Sequence, residues 1–221
     1  MNTDPSDIAE LPTLSRIALG YAPASARPSW HAFFTLDARL ASFVRSASEP
    51  LTAQLRLAWW RETLGKPATD WPEGEPLLMA LKGWNGEHGA LTSLVDGWEA
   101  MALAEPGLGN PALQLAEGRG KGLAGLASAL GDLAHAPEAE RLGSEWAIVD
   151  IAGKLSDPQE RASALTTAKG FDWAPARLPR SLRPLAVLHA LARKAQARGM
   201  TIDELGPSGA LAAFRAGFFG R

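Results

Sequence analysis

The stretch Trp30-His-Ala-Phe-Phe-Thr-Leu-Asp-Ala-Arg-Leu-Ala-Ser-Phe-Val-Arg45 decides the fold class. Its apolar residues Phe33, Phe34, Leu36, Leu40, Phe43 and Val44 recur at three- and four-residue steps, the period of one helix face. Asp37, Arg39 and Arg45 lie off that stripe. Downstream, Pro50 opens a second helix, where a missing N–H costs nothing. This helix runs to about Leu64, and Gly65 with Pro67 closes it. Residues that favour sheets are scarce across the whole chain. Valine and isoleucine occur only as Ile8, Ile17, Val44, Val95, Ile148, Val149, Ile151, Val187 and Ile202. Strands depend on such residues in runs. Alanine and leucine dominate instead, and both lose little on entering a helix. The expected fold is all-α.

Further helices are expected at about 75–84, 88–103, 112–133, 137–155, 180–198 and 208–218, with another opened by Ser156-Asp157-Pro158. Trp84-Asn85-Gly86 and the cluster from Glu105 to Pro111 read as breaks. No linker is long enough to separate a pair of domains, so the expectation is one bundle of roughly eight to ten helices over residues 1–221. Residues 1–13 read as a loose N-terminal arm.

Composition narrows the chemistry. The chain has 221 residues, 46% hydrophobic and 21% charged, with 22 basic against 24 acidic side chains. That near-neutral balance speaks against nucleic acid as the main partner. With no cysteine, disulfides, thiolate metal sites and a Cys nucleophile are excluded. The polar, acidic start is no signal peptide, and no apolar run approaches the roughly 20 residues of a membrane span. The cytoplasm is the default compartment.

Motifs of catalysis are sparse. His31, His88, His135 and His189 have no partner at metal-ligand spacing, so surface or capping roles are expected, and no metal site. There is no Gly-x-Ser-x-Gly elbow. Gly118-Arg-Gly-Lys-Gly122 has a phosphate-loop look, but its flanks are helical rather than strand then helix. The eight tryptophans carry more. Trp59 and Trp60 are adjacent, so their rings point about 100° apart on a helix. Leu57, Trp60 and Leu64 share a stripe, with Arg56 and Trp59 beside it. Either this is a wide core face with a charged edge, or the helix lines a greasy cavity with Arg56 and Arg61 near its mouth.

Leu55-Arg-Leu-Ala-Trp-Trp-Arg-Glu-Thr-Leu64 resembles the segment after the first substrate helix of the squalene/phytoene synthase family. The branch it is most similar to contains a mitochondrial complex I assembly factor. The run from Arg27 to Ala41 is similar to that family's first helix. Leu94-Val-Asp-Gly-Trp-Glu99, Glu117 to Leu126, Leu142 to Ala152 and Leu178 to Pro184 resemble its later segments. The resemblance implies an isoprenoid synthase-like helical bundle. It also implies head-to-head condensation of two prenyl diphosphates, held through Mg²⁺ by two aspartate-rich motifs. The chain departs from that pattern. Asp37 is followed by Arg39, and Asp150 by Lys154, so each motif is reduced to one carboxylate. The chain is also shorter than is usual for that family, which reads as trimmed C-terminal helices.

Three expectations follow. The first is a non-catalytic or weakly catalytic member of that family, a pseudoenzyme or assembly-type protein, that keeps the cavity and binds a prenyl lipid, a prenyl diphosphate or a protein partner, with no cofactor and with peripheral membrane contact. The second is an active Mg²⁺-dependent prenyltransferase of isoprenoid biosynthesis. The third is a helical scaffold with a filled core. Asp37 and Asp150, facing one another across the bundle, are the candidate catalytic remnants. Tyr21, Arg27, Arg56, Trp60, Arg61, Asp96, Gly118 and Gly122 are the candidate cavity residues. Gly118, Gly120, Gly122 and Gly125 favour the cavity, because each glycine costs about 1 kcal/mol against alanine inside a helix.

Overall fold

Asn110 shows how the chain starts its central helix: its side chain accepts the Leu113 N–H at 3.0 Å, and Pro111 takes the first helical position. In the computed structural model, residues 11–46, 50–105 and 108–220 are described, without the side chains of Pro50, Pro207 and Ser208. Ten α-helices form among them: α1 (Thr13–Leu19), α2 (Arg27–Ser46), α3 (Pro50–Leu64), α4 (Pro76–Leu81), α5 (Thr92–Ala102), α6 (Pro111–Ala129), α7 (Ala136–Lys154), α8 (Pro158–Ala168), α9 (Arg183–Gln196) and α10 (Pro207–Phe219). No strand occurs among the described residues. The fold is all-α, as the scarcity of β-branched residues required.

Helix α6 is the hub. It packs most extensively on α7 and α5, while α9 bridges α7 and α10. One hydrophobic cluster runs from Leu11 to Ala216. Trp30, wholly buried, donates its indole N–H to the Ser181 carbonyl at 2.8 Å and ties α2 to the turn before α9. Of the expected N-terminal arm, residues 1–10 lie outside the described residues. Leu11 is buried and Thr13 already opens α1.

Boundaries differ from the sequence expectation in instructive places. Helix α6 stops at Ala129, not Leu133. Gly131 takes a φ of +83°, the Asp132 N–H reaches the Ala127 carbonyl, and the Gly131 N–H reaches that of Ser128. This is a Schellman stop, which one glycine in left-handed backbone provides. The segment expected as 75–84 is α4 followed by a 3₁₀ turn, Lys82–Trp84. Asn85 (φ +52°) and Gly86 (φ +95°) then make the expected break.

The glycines of α6 have a different reason from the one the sequence suggested. A Cβ on Gly118 would lie 2.3 Å from the Ser93 carbonyl oxygen, and one on Gly120 2.1 Å from Ser144 Oγ and 2.5 Å from the Glu140 carbonyl oxygen. At Gly122 it would press on the Phe33 ring, and at Gly125 on Ala90. These positions let α5, α7 and α2 approach the α6 backbone. The helical cost of each glycine is offset by packing, and the space beside them is filled.

Candidate functional site

Three helices converge on one guanidinium. Asp37 on α2 sits at the polar edge of a stripe made by Phe33, Phe34, Leu36 and Leu40, all buried. Asp150 on α7 follows Trp146 by one helical turn. Arg119 on α6 shares its stripe with Leu115, Gly122 and Leu126, and is therefore driven into the core. The Arg119 side chain is only 2% exposed, against 14% for Asp37 and 6% for Asp150. Its Nε and Nη2 donate to Asp37 Oδ1 and Oδ2 at 3.1 and 2.9 Å, and its Nη1 donates to Asp150 Oδ2 at 2.8 Å. The Trp98 indole N–H donates to Asp37 Oδ1 at 2.8 Å, and Lys154 Nζ to Asp150 Oδ2 at 2.5 Å. Trp98 and Trp146 lie 5.5 and 5.3 Å from the guanidinium carbon, within cation–π range.

Two positive and two negative groups thus close on themselves. Burial alone would raise the Asp150 carboxyl, but Lys154 and Arg119 outweigh it and hold its pKa below the ordinary value. Burial likewise works to lower Arg119, and Asp37 with Asp150 outweigh it and raise its pKa. The two aspartates do face each other, as expected, but across an arginine. As donors for Mg²⁺ they do not fit: both Asp37 oxygens hold Arg119, and Asp150 Oδ2 is shared by two cations. Among the described residues, no group of three or more His, Asp or Glu side chains is arranged to take a metal ion.

The expected cavity residues do not converge. Arg56 and Trp60 line an open groove of about 570 Å³ between α2 and α3, with Arg39, Ser42, Phe43, Leu55, Trp59 and Glu75. Trp60 is buried (2%) and Trp59 is 42% exposed, so the adjacent rings do face different surroundings. Arg39 pairs with Glu75 at 2.6 Å, whereas Arg56 lies over the Phe43 ring at 5.4 Å. Arg61 lies outside the groove: it pairs with Asp96 at 2.6 Å and with Glu99. Tyr21 packs on Gly217 of α10, and Arg27 donates to the Ala22 carbonyl at 3.2 Å. Gly118 and Gly122 are helix contacts.

A second buried cluster was invisible to motif reading. Glu145, with no exposed surface, accepts Arg141 Nη1 at 2.7 Å and the Trp173 N–H at 3.3 Å on Oε1, and His189 Nε2 at 2.7 Å on Oε2. Trp173, at φ +57°, stacks on His189 with centroids 5.8 Å apart. The cluster ties the connector after α8 to α7 and α9. His88 is also buried and meets the Lys66 carbonyl oxygen at 3.1 Å. The expectation of surface or capping roles therefore fails for His88 and His189. Each has a polar partner that makes burial tolerable.

Compared with known proteins, the chain matches no family model, no curated protein and no solved structure.

Proposed function

We propose that this chain is a non-catalytic protein of squalene/phytoene synthase type, with an isoprenoid synthase-like bundle, that binds a prenyl lipid or prenyl diphosphate. The observation that carries this reading is Arg119 between Asp37 and Asp150. Departure of a diphosphate needs its growing charge neutralised, which hard oxygen ligands and Mg²⁺ supply in working prenyltransferases. Here the two candidate carboxylates are neutralised by the protein's own cations, Arg119 and Lys154.

The ligand is assigned to the groove between α2 and α3. Its volume falls within the roughly 300–1,000 Å³ of small-molecule sites. Phe43, Leu55 and Trp59 offer apolar surface to an isoprenoid chain, and Arg56 offers a cation to an anionic head group.

The test is binding of farnesyl or geranylgeranyl diphosphate by calorimetry, together with pyrophosphate release in the presence of Mg²⁺. Binding that Arg56→Glu and Trp59→Ala weaken at least several-fold, without release, supports the reading. Mg²⁺-dependent release that Asp37→Ala and Asp150→Ala each abolish would establish the active prenyltransferase instead.

A further inference from the structure

Helix α10 is amphipathic in an inverted sense. Its inward positions are small: Gly209, Ala213, Ala216 and Gly220 are buried. Its outward positions are large and apolar: Leu211, Phe214, Phe218 and Phe219 are 64, 52, 64 and 63% exposed. At about 100° per residue, Leu211, Phe214 and Phe218 share one narrow sector, with Arg215 and then Phe219 beside it. The Phe214 and Phe218 rings lie 4.6 Å apart and form one ridge. The helix is held firmly behind that ridge. Tyr21 fills the notch at Gly217, and the Leu178 N–H donates to the Gly220 carbonyl at 3.1 Å. Exposed aromatics of this kind on a fixed helix are a contact surface rather than stray apolar residues.

Charge identifies the partner. Residues 173–221 contain eight Arg or Lys and two acids, while residues 1–172 contain 14 and 22. The net charges are therefore +6 and −8 in a chain of −2 overall. The structure places Arg193, Lys194 and Arg215 of this segment beside the ridge. They line a groove of about 450 Å³ with Leu211, between α9 and α10. At the other end of α10, Arg183 abuts Gly220 on the inward side of the helix, and its pKa is lowered by burial and by the nearby charges of Arg180 and Arg177. A convex apolar ridge flanked by cations matches an anionic lipid surface, in which phenyl rings enter the boundary region and arginines meet head-group phosphates. No helix among the described residues is long and apolar enough to cross a membrane.

We infer that α10 docks this protein on the surface of anionic membranes, through Leu211, Phe214, Phe218 and Phe219 with the flanking arginines. None of these residues belongs to the prenyl groove or the Arg119 cluster, so the failure of either leaves this surface unaffected.

The experiment is co-sedimentation of the full chain with phosphatidylcholine vesicles, with and without one-third phosphatidylglycerol. Binding is expected only with phosphatidylglycerol, and it should weaken as salt rises from about 0.1 M to about 1 M. Phe214→Ser with Phe218→Ser should lower binding about tenfold or more, and Arg215→Glu several-fold. These side chains are exposed, so circular dichroism of each variant should match the parent. Equal binding to both vesicle types, no binding to either, or undiminished binding by the double Phe variant would overturn the inference. A dimer in sedimentation velocity that the double variant abolishes, without vesicle binding, would instead assign the ridge to a second copy of the chain.

Discussion

Of the arginines that pair with more than one carboxylate, Arg119 between Asp37 and Asp150 and Arg61 between Asp96 and Glu99 differ most in burial. Their contact chemistry is the same, but Arg119 is 2% exposed and Arg61 is 39% exposed. Water can replace any partner that Arg61 loses. Nothing replaces a partner that Arg119 loses, since two tryptophans, Trp98 and Trp146, wall it in. The geometry of an ion pair thus says little about its energetic weight until burial is known.

Variants at the two sites should separate them, beginning with the largest effect. Arg119→Ala leaves Asp37 with no cation and Asp150 with Lys154 alone, and should cost about 3–5 kcal/mol. That is a large share of the roughly 5–15 kcal/mol of a typical domain, so the variant should melt far below the parent or fail to fold. Replacing Asp37, Arg119 and Asp150 together by Asn, Met and Asn should recover most of the loss in urea melts. Trp60→Ala, which removes a buried ring in α3, should cost about 3–5 kcal/mol in the same measurement. Gly120→Ala forces a methyl against Ser144 and the Glu140 carbonyl, and should cost about 1–3 kcal/mol.

Acidity offers a smaller effect whose sign is fixed. The Asp150 carboxyl has a folded pKa held below its unfolded value of about 3.9. Its stabilisation is therefore complete above that value and is lost as pH falls through the folded pKa. The stability gap between the parent and Asp150→Asn should be constant near neutral pH and should shrink in acid titrations below about pH 4. Arg61→Ala should have the smallest effect, about 0–1 kcal/mol, and should shrink further in high salt. A cost for Arg61→Ala equal to that for Arg119→Ala would break the comparison.

The helices were legible because propensity, period and breakers all agreed, as at Pro50, Gly65 and Asp157. Asp157 accepts the Gln159 and Glu160 N–H groups at 2.7 and 2.9 Å, as its position before Pro158 suggested. The buried polar groups were not legible, because helix periodicity gives a face but not the group opposite it. Arg119 had a signal, since it stands where Leu115 and Leu126 define a core stripe, and a charge there requires a buried partner. Its glycine neighbours drew attention to phosphate loops and cavities, when they mark where α5 and α7 touch α6. His189 and Glu145 are 44 residues apart, and nothing local links them.

The central claim is that Asp37 and Asp150 are neutralised from within and hold no Mg²⁺. Thermal melting of the full chain against Mg²⁺ tests it most directly, because a ligand that binds only the folded state stabilises it by RT ln(1 + [L]/Kd). At a hundredfold excess over Kd, that is about 2.7 kcal/mol, or roughly 5–10 °C for a chain of this size. The account predicts no rise in melting temperature up to millimolar Mg²⁺. A rise that grows with Mg²⁺ concentration and disappears in Asp37→Asn or Asp150→Asn would contradict it.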